Sequence, residues 1–434
     1  MSSLRRGTAV LAASVLCTAA APLALTGTAS AAPATSPARA AAAEDDGLYG
    51  KGDPKFDGVW RQSVALLAQD TAGVSPADRA VTWLTDQQCA NGSFTAYRAD
   101  PRADCDGKTP ADTNATAAAV QALAALGGRS DAVRSAAKWL VSVRNEDGGW
   151  GYNPGSPTDA NSTGVVIGAL AVSGGDPAKP GEPSAYEALL GLQLGCDAKE
   201  GERGAFAYQP DKKGDLAPND DATAAAVLAA RGGGLVVEPA EDDGETPAPT
   251  DCGTDSGSGG GGEEGADEKI SPDAAAGAGA AYLTEVLRAN GRHLPSAMPG
   301  EKGKPDYGNT ADAVLALAAS GHDDTAEDTL DWLEDHAKDW DKSASDPAAL
   351  GALVLAAHAA DGDPRDFGGA DLVKRLNATG PAPAKDAPPE EDDDKDDDGD
   401  GAGTAVTVSL VVAGLAAGAG IGILFSGRRK QQGL

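Results

Sequence analysis

Between about residues 50 and 380, apolar side chains recur with the three- and four-residue spacing of α-helices, in two alternating kinds of segment. Segments of the first kind are rich in Ala and apolar nearly all round, which predicts helices that are buried on most sides. A polar residue begins each of them, and apolar residues follow at helical spacing. The clear copies begin at Asp112, Asp159, Asn219, Asp306 and Asp346, and a looser copy lies at about 56–67.

Segments of the second kind are amphipathic and lie between those of the first. They carry the pairs Trp83-Leu84, Trp139-Leu140, Leu189-Leu190, Tyr282-Leu283 and Trp332-Leu333, and the last segment, 370–377, is short. A single helix pair cannot bury its apolar side alone, whereas a closed ring of pairs leaves no open end. The pattern therefore predicts an all-α (α/α)6 toroid of six inner and six outer helices at 50–380, with a flexible insertion at about 232–267.

A turn motif follows the outer segments. It runs Leu84-x3-Gln88-x3-Gly92-x-Phe94, then Leu140-x3-Arg144-x3-Gly148-x-Trp150, and degenerates to Gln193 with Gly204-Ala205-Phe206. This element resembles the QW repeat of the prenyltransferase and squalene-oxidase-repeat superfamily, whose members are terpenoid cyclase-like toroids. The resemblance implies an (α/α)6 toroid with a cavity at one mouth, distantly similar to transcobalamin and intrinsic factor. It does not imply one activity, because functions on this fold diverge widely.

The two ends of the chain predict export and membrane anchoring. Arg5 and Arg6, an apolar stretch and Ala29-Ser30-Ala31 together predict a signal peptide at 1–31, with an uncleaved anchor helix as the alternative. Residues 404–425 carry no charge and would span about 33 Å as a helix. The basic tail at 426–434 then predicts a single-pass membrane protein with an extracellular N-terminal domain. Residues 32–49 are predicted to be disordered, and 381–403 to form an acidic Pro/Ala/Asp stalk.

The net charge indicates which classes of partner are disfavoured, and the cysteine count indicates the redox compartment. The formal net charge is −31, which disfavours nucleic acid, anionic lipid headgroups and phosphate-rich substrates. Four cysteines remain after the signal peptide, and an even count in an exported chain favours disulfides. Although three pairings are open, we expect Cys89–Cys105 and Cys196–Cys252, since each would close one loop.

The enzyme chemistries of the superfamily each lack a reacting group in this sequence. Triterpene cyclases use an Asp-x-Asp-Asp-Thr acid, but here Pro218 replaces the first Asp and Ala222 interrupts the Asp-Thr step. The chain also holds only 4% aromatic residues, few for a wall that stabilises carbocations. The zinc ligands of protein prenyltransferases and the thioester motif of complement-type domains are missing as well. The sequence therefore favours a non-catalytic protein and implies no cofactor and no metal.

The candidate ligand site is one mouth of the ring, where the inner helices begin. Its predicted carboxylates are Asp112, Asp159, Asp220, Asp306 and Asp346, and its predicted aromatic residues are Trp150, Tyr152, Phe206, Tyr208 and Tyr307. A ring of carboxylates would receive a cationic or many-hydroxyl ligand, and aromatic side chains would stack on a flat one. The alternatives are helix N-caps for the carboxylates and packing for the rings.

These observations favour a cell-surface binding protein that captures a ligand, such as a corrinoid or a similar cofactor for uptake. Its partners would be an unidentified small molecule or surface polymer, a membrane importer, and the membrane itself through the C-terminal helix. One alternative is a wall-associated carbohydrate-active or terpene-cyclase-like enzyme, in which Asp220 would pair with Asp306 or Asp159. A third hypothesis is a scaffold that binds another surface protein.

Overall fold

The computed structural model describes residues 47–178, 183–239, 248–250, 252, 270–298, 300–301 and 303–384. In these residues the regular structure is helical, and β-pairing is limited to three isolated bridges. The inner α-helices are α1 (Gly58–Thr71), α3 (Thr113–Leu126), α5 (Ala160–Val172), α7 (Asp220–Ala230), α9 (Tyr307–Ala318) and α11 (Pro347–Ala359). The outer α-helices are α2 (Asp78–Asp86), α4 (Ser130–Ser142), α6 (Ala185–Leu190), α8 (Pro272–Ala289), α10 (Asp323–His336) and α12 (Leu372–Asn377).

The inner helices form a closed ring. Each packs against the next one in chain order, and α11 packs against α1. Hydrogen bonds between the two ends of the ring strengthen this closure: Gln69 Nε2 donates to Asn377 Oδ1 at 2.6 Å, and the Gly50 amide donates to the Thr379 carbonyl at 2.8 Å. The predicted all-α toroid of alternating inner and outer helices is therefore confirmed for the described residues.

Both predicted boundaries of the ring need correction. Tyr49 was placed in the disordered N-terminal segment, yet its side chain is fully buried and its ring fills the space beside Gly380. At the other end, the Ala384 amide donates to the Ser75 carbonyl at 3.0 Å, so the packed chain continues past residue 380. The pattern missed both extensions because each is a short, irregular segment without helical spacing.

The repeated polar start of the inner helices has a structural cause. In α5 the Asp159 carboxylate accepts from the Ser162 amide at 2.7 Å and so caps the helix. The Trp150 amide donates a hydrogen bond to the Thr163 hydroxyl at 3.1 Å, and the Asp159 amide donates one to the Trp150 carbonyl at 3.0 Å. The cap and the Thr four residues later thus fasten the preceding aromatic turn to the helix. The same three bonds recur at the starts of α3 and α7.

The Gln of the turn motif joins each turn to the next outer helix. Gln88 Nε2 donates to the Gly92 carbonyl at 3.1 Å and to the Ala132 carbonyl in α4 at 2.9 Å. Gln193 repeats this arrangement with the Gly204 carbonyl and the Ala275 carbonyl in α8. One side-chain amide therefore ties two consecutive repeats together.

Replacing Gln88 with Ala should lower the free energy of unfolding by about 1–3 kcal/mol, because two partly buried carbonyls lose their donor. Thr82→Ala is the control, since Thr82 lies exposed on α2, the outer helix that ends just before Gln88. Urea denaturation of both variants measures the difference. Equal stability of the two would show that the Gln bridge contributes nothing to the ring.

The predicted flexible insertion at 232–267 is ordered in its first part, which is a second correction. Residues 233–237 cross the end of the ring opposite the helix starts, and Val237 is buried. Gln121 holds this crossing segment, because its Oε1 accepts the Leu235 amide at 2.7 Å. Gly168 leaves room for the segment, since a Cβ there would lie 2.9 Å from the Gly233 carbonyl oxygen. The segment therefore closes one end of the ring.

The two expected disulfides, Cys89–Cys105 and Cys196–Cys252, are both formed. In the part of the chain that the structure describes, no helix is both long and apolar enough for a membrane span. The predicted signal peptide, the stalk beyond residue 384, the membrane helix at 404–425 and the basic tail all lie outside the described residues.

Candidate functional site

The ring encloses a cavity of about 310 Å³. Five inner helices and the crossing segment line it, and its surface is mostly apolar. Four carboxylates interrupt this apolar wall, from Asp57, Asp112, Asp221 and Asp312. Among the described residues that line the cavity, none is Lys, Arg or His. The volume lies near the lower end of the range for small-molecule pockets, about 300–1,000 Å³.

Asp312 is the most perturbed acid of the cavity. It lies in the second turn of α9, on a helix that is otherwise apolar inside the ring. Burial raises the pKa of Asp312 to about 7, and the negative charges of Asp221 and Asp306 add to the shift. A carboxyl group with this pKa is still partly protonated at pH 7, so it can act as an acid there.

The other three cavity acids also hold their protons more tightly than free Asp. Burial is the main cause of the raised pKa of Asp57, Asp112 and Asp221. Asp112 is hydrogen-bonded to the Tyr152 hydroxyl, and this bond acts in the opposite direction. Asp221 accepts from Asn161 Nδ2 at 2.6 Å. These acids therefore combine a fixed position with a weakened tendency to ionise.

Two residues of the cavity lining have an amide oxygen without a hydrogen-bond donor. Asn114 and Asn161 both line it, and the Oδ1 atom of each is buried and has no partner among the described atoms. Unsatisfied buried acceptors are rare in folded proteins and mark places where a donor or a positive charge is favoured. The polar part of the wall is thus rich in acceptors.

The five predicted carboxylates have different positions and roles in the structure. Asp112 both caps α3 and lines the cavity. Asp159, Asp306 and Asp346 cap α5, α9 and α11, as the N-cap alternative expected, and they do not line the cavity. Asp346 instead borders a second pocket beside α1.

At the start of α7, the helix cap lies one residue before the predicted site residue Asp220. Asn219 is the N-cap of α7, with its Oδ1 accepting the Ala222 amide at 2.7 Å. Asp220 is therefore free to accept from the Tyr282 hydroxyl at 2.7 Å, away from the cavity. The next residue, Asp221, is the one that lines it.

Only one of the five predicted aromatic residues lines the cavity. Trp150 and Phe206 are fully buried between repeats, as the packing alternative expected, and a ligand cannot reach their faces. Tyr208 is hydrogen-bonded to Asp159, and Tyr307 stacks on Trp340. Tyr152 lines the cavity beside Asp112, with 45% of its surface exposed.

Sequence reasoning missed Asp57, Asp221 and Asp312. The available signal for Asp312 was its setting, since it is one acid within the apolar run Ala311–Ala319. A lone carboxylate on a helix buried on most sides needs either a partner or a function. For Asp221 the signal was the adjacent Asn219, because Asn is as good an N-cap as Asp and shifts the register by one residue.

No family model matches this chain. A curated relative, the drimenyl diphosphate synthase of Streptantibioticus cattleyicolor, is 29% identical over 130 residues, which are 30% of this chain and 24% of the relative. The chain thus matches about a quarter of the length of that relative.

Two solved structures have only weak similarity to this chain, with TM-scores below 0.5. The ent-copalyl diphosphate synthase from Streptomyces platensis has a TM-score of 0.42 at 16% identity, over 70% of this chain and 50% of that one. The type II terpene cyclase MstE from Scytonema has a TM-score of 0.38 at 13% identity, over 66% of this chain and 72% of that one.

Proposed function

We propose that the protein is an acid-initiated enzyme that isomerises or cyclises a small, uncharged olefin in the central cavity, with Asp312 as the proton donor. One observation carries this proposal: a carboxyl group with a pKa raised to about 7 faces an apolar cavity inside a closed ring. At pH 7 such a group carries its proton in about half of the molecules, and it is surrounded by surface that binds hydrocarbon.

The proposed reaction needs no oxidant or reductant. The Asp312 proton is added to one carbon of a double bond, whose π electrons form the new C–H bond and leave a carbocation on the other carbon. A second double bond of the substrate attacks this cation and closes a ring. Loss of a proton to water or a carboxylate ends the reaction, and solvent returns a proton to Asp312.

The lining favours a neutral substrate over a phosphorylated one. A diphosphate group is normally bound by Arg, Lys or a metal ion, and none of the described residues that line the cavity is cationic. Acceptors at Asn114 and Asn161, together with the rings of Trp60 and Tyr152, instead favour developing positive charge. A neutral isoprenoid hydrocarbon or alcohol satisfies both conditions.

The curated relative supports the proposal in part. Its name describes an enzyme that makes a terpenoid diphosphate, and the local sequence similarity is consistent with related chemistry on this chain. Pro218 still departs from the cyclase acid motif. We infer that Asp312, from a different inner helix, replaces the missing acid function.

The test is deuterium uptake. The protein is incubated in D2O with farnesol or geraniol, and the products are analysed by mass spectrometry. A product that carries one new deuterium is expected from at least one of these olefins, with a rate that falls as pH rises above 7, because Asp312 then loses its proton. Uptake that persists undiminished at pH 9 would contradict the assignment of Asp312 as the acid.

A second function, capture of a small organic cation, is favoured by the acceptor-rich wall. Four carboxylates would surround an ammonium group. The two functions have opposite pH dependences, because an ionised Asp312 attracts a cation and cannot donate a proton. Calorimetric titration with tetramethylammonium at pH 6 and pH 8 separates them: tighter binding at pH 8 supports capture.

The remaining hypotheses gain no support from the site. The cavity is too small to enclose a corrinoid macrocycle, and Asp159, Asp220 and Asp306 do not line it as a pair for glycoside hydrolysis. Export and anchoring to the cell membrane remain our proposal, consistent with two disulfides in the ring domain. An importer or another surface protein as partner is likewise a proposal.

A further inference from the structure

A second pocket of about 570 Å³ lies beside α1, next to the central cavity. It is bordered by the loop 50–52, by a 3-10 helix at Asp341–Ala344 and by the end of α12. Its lining includes four basic side chains, from Lys51, Arg61, Lys342 and Arg375. Such a concentration of positive charge is unexpected in a chain with a net charge of −31.

Arg61 provides a fixed positive charge for this pocket. Its side chain is only 4% exposed, and its guanidinium donates to the Gly52 carbonyl at 3.0 Å and to the Asp57 carboxylate at 3.3 Å. Its Nε atom is buried and has no hydrogen-bond partner among the described atoms. Because a buried cation is costly unless it is well compensated, a further negative charge nearby would be stabilising.

The other three cations are exposed and available. Lys51, Lys342 and Arg375 have no ion-pair partner among the described residues. Asp341 and Asp346 also line the pocket, but the Asp346 carboxylate is already engaged by the Ala348 and Ala349 amides at the start of α11. The lining thus has two more positive than negative side chains, and although Asp57 already pairs with Arg61 from outside the lining, this excess favours an anion.

We propose that this basic pocket binds a phosphate-type dianion, either free phosphate or the phosphate of a small ester. Arg61 supplies the buried charge, and the three exposed cations supply charge-assisted hydrogen bonds from the rim. The pocket adjoins the central cavity, because Arg61 in its lining is paired with the cavity acid Asp57, but Asp312 does not line it. The net charge of the chain predicts that phosphate groups are disfavoured at its surface, and the basic pocket would be a local exception to that prediction.

The experiment is a calorimetric titration of the protein with inorganic phosphate and with glycerol 3-phosphate at low salt. Measurable binding of either probe is expected, weakened by added NaCl because the contacts are partly exposed. Binding of inorganic phosphate alone identifies the free anion, and equal binding of both identifies the ester as acceptable. Absence of binding for both probes up to 10 mM overturns the proposal.

Charge variants show whether the pocket itself is responsible. Lys342→Gln and Arg375→Gln should each weaken binding by at least roughly fivefold, since each removes one charge-assisted contact. Both residues are exposed, so the fold should persist, which circular dichroism checks. Lys138→Gln, an exposed lysine on α4, makes the same change in net charge and should leave affinity unchanged. An equal loss in all three variants would assign the effect to general electrostatics and reject the site.

Discussion

Replacing Asp312 with Asn is expected to reduce the proposed proton transfer by on the order of 10³-fold or more, because the amide cannot donate a proton as an acid. Asn has nearly the same shape, so the cavity and the ring should be unchanged. Deuterium uptake in D2O measures the rate, and Asp324→Asn, an exposed acid at the start of α10, is the matched control. Full activity of Asp312→Asn would mean that another group starts the reaction, and the proposed function would have to be abandoned.

The same substitution should stabilise the protein at alkaline pH. Free Asp has a pKa of 3.8, whereas the pKa of Asp312 in the fold is raised to about 7. Between these values the folded state retains a proton that the unfolded state has lost, so stability from this group is complete below 3.8 and is lost as pH rises to 7. A shift of this size corresponds to roughly 4 kcal/mol as an upper bound.

Chemical denaturation at pH 4.5 and pH 8 tests this expectation. Asp312→Asn and the wild type should be nearly equally stable at the lower pH, and the variant more stable at the higher one. The other acids with raised pKa shift both proteins alike, so the difference isolates Asp312. A less stable variant at pH 8 would show that the Asp312 carboxylate is stabilised in the fold and that it is ionised at neutral pH. Gain of stability with loss of activity is the pattern expected when a group is kept for function.

The fold was largely predictable from sequence because the repeat is a local signal. Helical spacing and polar starts such as Asp112 and Asp159 depend on residues a few positions apart, and closure follows from the need to bury apolar faces. The pattern could not show that 233–237 cross the ring, since this segment is held by contacts with residues distant in sequence, such as the hydrogen bond from Leu235 to Gln121. The ends at Tyr49 and Ala384 were missed for the same reason.

The candidate site was less predictable than the fold. Asp112 was found because it belongs to the repeat, but a repeated residue is first of all a structural one, as the caps at Asp159 and Asp306 show. The distinctive acid, Asp312, occurs once and breaks the pattern of its own helix. In a repeat protein, we therefore expect function at positions that depart from the repeat, since those that follow it maintain the ring.

The glycine of the turn motif illustrates a residue that maintains the ring, and its replacement should be among the most damaging. Gly148 has a positive φ of 94°, and a Cβ at this position would lie 2.5 Å from the Ser184 carbonyl oxygen and 2.6 Å from that of Pro183. Those two residues directly precede outer helix α6, and Ser184 is its N-cap, so the turn and the helix cannot separate without breaking the repeat contact. We expect Gly148→Ala to cost roughly 4 kcal/mol, from backbone strain and overpacking combined.

Gly155 provides a matched control for this steric effect. Its φ is also positive, at 78°, but a Cβ there would meet nothing within 4 Å. Gly155→Ala should therefore cost only about 1–2 kcal/mol, the strain of a left-handed conformation alone. Urea denaturation of both variants at one pH separates the contribution of packing from that of backbone strain. Equal losses of stability in the two variants would mean that the turn can move away from α6. The glycine of the repeat motif would then be needed for its backbone conformation and not for a close contact between consecutive repeats.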